Sequence, residues 1–287
     1  MSNFVIGTCS TSDLPQSYIE KHELLLLKFS YTIDHTEYKD GDMDTKTFFD
    51  LERDGKMPTT SQLNPADIIP AFDKVLSSGN DLLYIAFSSG LSGSYNNLSL
   101  VAGDMRVKYP DRKIYVVDSL CASLGQGLLV DYAVKMREAG KSIDETFKWV
   151  EANKLGLNHW FTVDSLSHLR RGGRVTGAAA FVGNLLHIKP VLNVDFEGHL
   201  IPREKEKGRK RALKCLVEKM EEYIYQPDGQ TVFINHGDDI EAAQKLEGMI
   251  RDRFPTIGEI MISPLGAVIG AHAGPGTISV FFMGKTR

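Results

Sequence analysis

Cysteine is scarce in this chain of 287 residues: Cys9, Cys121 and Cys215 are all there are, and no two form a CxxC pair. That excludes a disulfide-stapled scaffold and a cysteine metal site, and it fits the reducing cytoplasm. No apolar run approaches the roughly 20 residues that cross a bilayer; Leu24-Leu25-Leu26-Leu27 is far too short. Positive charge is not in excess. The 33 Lys and Arg stand against 37 Asp and Glu, a formal net charge of −4, where a general nucleic-acid binder would be basic. Familiar catalytic signatures are missing as well: there is no P-loop, no GxGxxG between strand and helix, no HExxH, no His/Cys metal spacing and no GxSxG elbow. The start, Met1-Ser2-Asn3-Phe4-Val5, has neither a basic stretch nor a long apolar one, so no secretion signal is expected.

What is present is ordinary for a soluble globular chain, 42% hydrophobic and 24% charged, with enough length for one large domain or two modest ones. One stretch organises the rest. Asp81-Leu82-Leu83-Tyr84-Ile85-Ala86-Phe87 reads as a buried parallel strand, and Ser88-Ser89-Gly90-Leu91-Ser92-Gly93 as a turn opening a helix over 95–107. Hydroxyls and free backbone N–H groups at a helix N-terminus suit an anionic or oxygen-rich head group. A plain tight connection is the other reading. Two more strands, 4–7 and 113–117, end in Thr8-Cys9-Ser10-Thr11-Ser12 and Asp118-Ser119. Asp44 or Thr45 can cap one helix, and Asn64-Pro65 opens another, with Ile68, Ile69, Phe72, Val75 and Leu76 at helical spacing. Residues 31–38 suggest an irregular strand or hairpin, and helices are expected over 120–138 and 142–153. This alternation predicts an α/β fold, a doubly wound parallel sheet with helices on both faces and ligands beyond the carboxyl ends of its strands.

The second half has another rhythm. A strand at 160–163, a helical turn at 165–170, a small-residue helix at 176–187 and a hairpin of 190–196 with 199–204 are expected first. Helices over 207–225 and 239–254 alternate with strands at 231–235, 259–263 and 276–283. These point to an α+β unit on a largely antiparallel sheet, giving domains 1–160 and 161–287. The run Arg203, Glu204, Lys205, Glu206, Lys207, Arg209, Lys210 and Arg211 reads as a solvated helix start or a docking surface. Three further stretches carry candidate chemistry. Pro58-Thr59-Thr60-Ser61-Gln62 is a hydroxyl-rich segment or simply a solvated loop. Leu169-Arg170-Arg171-Gly172-Gly173-Arg174 could hold a carboxylate or phosphate, or be a solvated basic turn. Ile269-Gly270-Ala271-His272-Ala273-Gly274 sets one histidine among small residues.

Seven motifs occur in order: Thr11-Ser12-Asp13-Leu14, Thr60-Ser61-Gln62, Ser88-Ser89-Gly90-Leu91-Ser92-Gly93, Asp118-Ser119, Gly172-Gly173-Arg174, Ile188-Lys189-Pro190 and Ala271-His272-Ala273-Gly274. With them the whole chain resembles the DegV family of bacterial fatty-acid-binding proteins. The resemblance implies a two-domain, non-catalytic carrier with the lipid site between its domains. A long-chain fatty acid lies in a buried tunnel, and its carboxylate is presented near the junction to a separate ATP-dependent fatty acid kinase for acyl phosphate formation and phospholipid synthesis. It implies that Thr60, Ser61, Ser92, Gly93, His272 and Arg174 surround the carboxylate, with no cofactor beyond the bound fatty acid. Burying a chain of about sixteen carbons at about 0.8 kcal/mol per methylene is worth roughly 10 kcal/mol before entropic costs, so the tail supplies affinity and the head-group residues orientation. Phe181, Leu185 and Leu186 are candidate tunnel lining. The sequence departs from the family at Cys9, where an aspartate is usual, and at Lys207, which aligns with an arginine of the kinase contact. Two other functions compete: a lipid-binding sensor or store without a kinase, and a stand-alone acyl hydrolase using Ser92 with His272. Transient contact with a membrane surface is compatible with the carrier.

Overall fold

Two sheets organise the chain, and each follows from its sequence rhythm. The computed structural model describes residues 4–176 and 187–287. The first half runs β1 (Phe4–Cys9), α1 (Gln16–Lys21), β2 (Leu25–Leu27), β3 (Ser30–Ile33), β4 (Thr36–Lys39), α2 (Thr45–Arg53) and β5 (Thr59–Ser61). It continues with α3 (Pro65–Ser77), β6 (Asp81–Ala86), α4 (Ser94–Lys108), β7 (Ile114–Asp118), α5 (Leu124–Glu138) and α6 (Ile143–Asn153). Strands β2-β1-β6-β7 form a four-stranded parallel sheet in that order. It is buried on both faces: Leu82, Tyr84 and Ala86 of β6 join the α3/α4 core, while Leu83 and Ile85 join the core under α5. The helix starts follow their caps, with the Asp44 side chain accepting from Thr47 N–H and Asn64 from Ala66 N–H.

Two features of this half differ from the sequence expectation. Residues 59–61 are not a solvated loop but strand β5, paired with Ser30–Ile33 in a small β4-β3-β5 sheet. The helix expected from residue 120 begins at Leu124, because Leu120 and Ser123 hold φ of +52° and +58°, which an α-helix cannot contain.

The second half runs β8 (Leu157–Thr162), α7 (Ser167–Arg171), β9 (Ile188–Val194), β10 (Leu200–Lys207), α8 (Arg209–Tyr223) and β11 (Val232–His236). It ends with α9 (Ile240–Arg253), β12 (Ile260–Pro264), α10 (Ala267–Ala273) and β13 (Ile278–Met283). The sheet order is β10-β9-β8-β13-β11-β12, antiparallel except for the parallel β11–β12 edge. Trp160, Ile234, Val280 and Phe282 face α8 and α9. On the opposite face, Phe233 and Phe281 share a core with Leu124 and Leu128 of α5, so α5 lies between the sheets. One expectation needs correction here. Residues 203–207 belong to edge strand β10, not to a helix start, and Gly208 at φ +83° makes the break before α8. The region around His272 is a helix, α10. It packs so closely on α2 that a Cβ on Gly270 would lie 2.9 Å from atoms of Phe48 and Phe49. The expected small-residue helix, with Phe181, Leu185 and Leu186, lies outside the described residues.

Candidate functional site

Between the two sheets lies a cavity of about 1030 Å³, its open mouth included. Its interior is aromatic and aliphatic: Phe29 and Phe87 meet edge to face at 6.1 Å, and Phe161, Val194, Leu200 and Phe281 come from the second sheet. Polar groups collect elsewhere on its wall. Thr60, Ser61, Ser92, Gly93, Arg174 and His272, the six residues singled out in the sequence, all line this one cavity, together with Gln62.

Hydrogen bonds tie the segments that carry these residues to one another. The β5–α3 connection is tied to the β6–α4 turn: Leu63 N–H donates to Ser94 Oγ at 2.9 Å, and Asn97 Nδ2 donates to Leu63 O at 2.8 Å. Ser94 Oγ in turn shares a hydrogen bond of 3.0 Å with Ser92 Oγ. The same turn is covered from the second half, where Ser88 Oγ donates to Gly198 O at 2.9 Å in the β9–β10 turn. Arg174 leaves α7 through the glycine pair and reaches back, its Nε donating to Leu91 O at 3.2 Å and its NH1 to Gly172 O. Arg171 donates to Ala271 O at 3.3 Å, fastening α7 to α10.

His272 projects from the last turn of α10, and its Nε2 is hydrogen-bonded to Thr60 Oγ1 at 2.8 Å. Its Nδ1 is buried without a partner among the described residues and faces Gly172 so closely that a Cβ there would lie 2.2 Å away. Burial, then the Arg174 and Arg171 charges, push the imidazole down to about 4, so it is neutral at pH 7. The Ser–His pair of a hydrolase is not formed, since Ser92 bonds to Ser94 and His272 to Thr60.

Sequence reasoning missed several wall residues. Ser123, His159 and Ser279 add polar atoms to the interior, and Leu169, Val268 and Ile269 add apolar ones. Cys9 does not reach the cavity; it is buried, with Sγ accepting from Gln126 Nε2 at 3.2 Å and hydrogen-bonded to Thr11 Oγ1 at 3.1 Å. Lys207 ends edge strand β10 and is exposed. All three cysteines are free. Among the described residues no helix is long and apolar enough to cross a membrane, and no cluster of three or more His, Cys, Asp or Glu could hold a metal ion.

Known proteins resemble this chain in sequence and fold. A family model described as "Uncharacterised protein, DegV family" matches residues 3–285. A DegV domain-containing protein of Clostridium perfringens is 47% identical, covering 100% of this chain and 99% of the relative. Among solved structures, a DegV family protein from Thermus thermophilus, described by its fatty acid binding, superposes with a TM-score of 0.91 at 29% identity over 98% of this chain and 99% of that one. A DegV lipid binding protein from Thermotoga maritima gives 0.88 at 30% identity, with 99% of both chains covered. The chain belongs to the DegV family.

Proposed function

We propose that this protein is a non-catalytic carrier that binds one long-chain fatty acid, tail in the cavity between the sheets and carboxylate among Thr60, Ser61, Ser92, Gly93, His272 and Arg174. The observation that carries this reading is the placing of these hydroxyls, a neutral imidazole and a guanidinium on the wall of a largely apolar cavity, the form expected of a site for an amphiphile. Fatty acid binding by the Thermus thermophilus relative and lipid binding by the Thermotoga maritima one support the same reading.

The hydrogen bonds suit a carboxylate. A neutral His272 with its proton on Nε2 donates to Thr60 Oγ1, which leaves the threonine O–H free to donate to the ligand. Arg174 adds long-range attraction, its Nε and NH1 already spent on backbone carbonyls. Held by neutral donors, a carboxylate keeps an oxygen free to attack a phosphorus centre. We therefore assign the carrier's partner as a separate ATP-dependent fatty acid kinase, with the acyl phosphate as product and the cytoplasm as its compartment. Residues 1–160 and 161–287 act as the two units that enclose the ligand. Lys207, exposed at the end of β10, keeps the charge of the family arginine without its planar fork.

The test is mass spectrometry of the purified protein, native and after organic extraction. A stoichiometric long-chain fatty acid is expected. ATP-dependent acyl phosphate formation with the cognate kinase then separates the carrier from a sensor or store. An empty protein that also refuses added palmitate overturns the reading.

A further inference from the structure

Four segments far apart in sequence meet at the start of α10, and their hydrogen bonds form a closed ring. Ser123 Oγ lies 2.5 Å from Asp13 Oδ2 and 2.6 Å from Asn235 Oδ1. Asn235 Nδ2 donates to Ser263 O at 3.4 Å, and Ser263 Oγ donates to Asp13 O at 3.1 Å. The other Asp13 oxygen, Oδ1, accepts from Gly266 N–H at 3.0 Å, at the start of α10. Asp13 and Ser123 both hold positive φ, +51° and +58°, a conformation that persists for such residues only where the surroundings over-determine it.

Proton counting decides the chemistry of this ring. The Ser123 hydroxyl has one proton and faces two acceptors, Asp13 Oδ2 and Asn235 Oδ1; the amide orientation that makes Oδ1 the acceptor is the one that lets Nδ2 reach Ser263 O. One proton cannot serve both contacts. A carboxyl proton on Asp13 supplies the second bond, donating to Ser123 Oγ while Ser123 donates to Asn235. The electrostatic surroundings agree. Asp40 Oδ1 accepts from the next amide, Ala267 N–H, at 3.1 Å, so two buried carboxyls point at the first turn of one short helix. Lys28 is the one other titratable group lining the groove beside them, and it acts on Asp40.

We propose that Asp13 is a positioning residue that works in its protonated form, locking the start of α10 so that His272, in the last turn of the same helix, stays against Thr60. This rests on the reading of His272 as part of the head-group site. Burial, with Asp40 beside it, holds the Asp13 carboxyl well above the usual carboxylate range. Ionisation of Asp13 at alkaline pH breaks the ring at Ser123, itself on the cavity wall, and sets two like charges at the helix start.

Carbon-13 NMR of the Asp13 carboxyl in the full-length, ligand-free protein, assigned by its loss in Asp13→Asn, tests the proton directly. A signal of the protonated form at pH 7 is expected; a carboxylate signal, with the Asn235 amide reversed, overturns the proposal. Palmitate affinity tests positioning. Asp13→Ala is expected to lose about tenfold at pH 7, and Asp13→Asn, which accepts from Gly266 and donates to Ser123, to restore it. Wild-type affinity is expected to fall as the pH rises from 7 to 9.5, with Asp13→Asn flat. A tenfold loss in folded Asp13→Asn, or no difference between the two pH profiles, overturns the proposal. Failure of the wild type to bind palmitate at all would instead overturn the head-group reading, with the carboxyl signal still deciding the protonation state.

Discussion

The polar wall and the interior of the cavity are built by different means. The polar wall takes Thr60 from a three-residue strand, Ser92 and Gly93 from a turn, Arg174 from the end of a glycine pair and His272 from a seven-residue helix. The interior takes Phe161 and Phe281 from central strands and Phe29 and Phe87 from the loops beside the parallel sheet. On the proposed reading, orientation of a ligand rests on short segments held by a few hydrogen bonds each, and affinity on the sheet faces and the loops beside them. Loss of one polar group should cost about 1 kcal/mol; loss of apolar contact should scale with the length of chain withdrawn.

The largest effect expected is on the interior side. Shortening the probe from palmitate to decanoate removes six methylenes, worth about 5 kcal/mol at about 0.8 kcal/mol each, or more than a thousandfold in affinity. Calorimetric titration of a saturated series checks this. A series that plateaus below ten carbons would reverse the comparison and make the polar wall the main source of affinity.

Next comes acid. The folded His272 is pushed down to about 4 against an ordinary 6.5, so the folded state resists a proton that the unfolded state accepts. The stability that its neutral form contributes is present above pH 6.5 and is lost as the pH falls toward 4, by about 3 kcal/mol at 1.36 kcal/mol per unit. Urea unfolding of the ligand-free protein across pH 4 to 7 should show a slope that His272→Gln reduces by that amount. His159 and His168 are also held low by burial and remain in both proteins, so the difference isolates the polar wall.

How far the sequence revealed this contrast depends on local chemistry. The β6 strand and its serine-glycine turn were legible because the apolar run and the breakers sit side by side, and Asn64-Pro65 announced α3 through its own cap. The six residues proposed for the polar wall stand out in the sequence because they fall in recognisable motifs. Helix α10 was hidden. Its residues Ala267 to Ala273 are small or apolar without a 3.6-residue stripe, and the helix is placed by Gly270 against Phe48 and Phe49, a contact more than two hundred residues apart in sequence. The charge of Lys205 and Lys207 suggests a helix start or a docking surface, whereas pairing with β9 makes them an edge strand, where charge discourages further pairing. Asp13, Ser123 and Asn235 carried no joint signal, since only the fold brings them within 3 Å.

A smaller effect would sharpen the comparison by steric means alone. Gly172 has ordinary helical backbone angles, φ −72° and ψ −11°, so Gly172→Ala costs nothing in conformation, yet its Cβ would lie 2.2 Å from His272 Nδ1. Displacing the imidazole from Thr60 should lower palmitate affinity about tenfold while leaving the dependence on chain length unchanged. A parallel shift across the chain-length series is the outcome that keeps polar wall and interior independent. A changed slope would mean that they are coupled.

The smallest effect discriminates between two adjacent hydroxyls. Thr60 is half-buried and hydrogen-bonded to His272, whereas its neighbour Ser61 is exposed although it lines the same cavity. Thr60→Val keeps the shape and removes the hydroxyl, which strands the His272 Nε2 and takes away one donor to the carboxylate; about 1–1.5 kcal/mol should be lost. Ser61→Ala removes a hydroxyl that water can replace, and should cost no more than about 0.5 kcal/mol. Equal losses from the two would show that hydroxyls act on the ligand merely by number. The unequal pair would show that what matters is the donor whose proton is directed by the imidazole behind it.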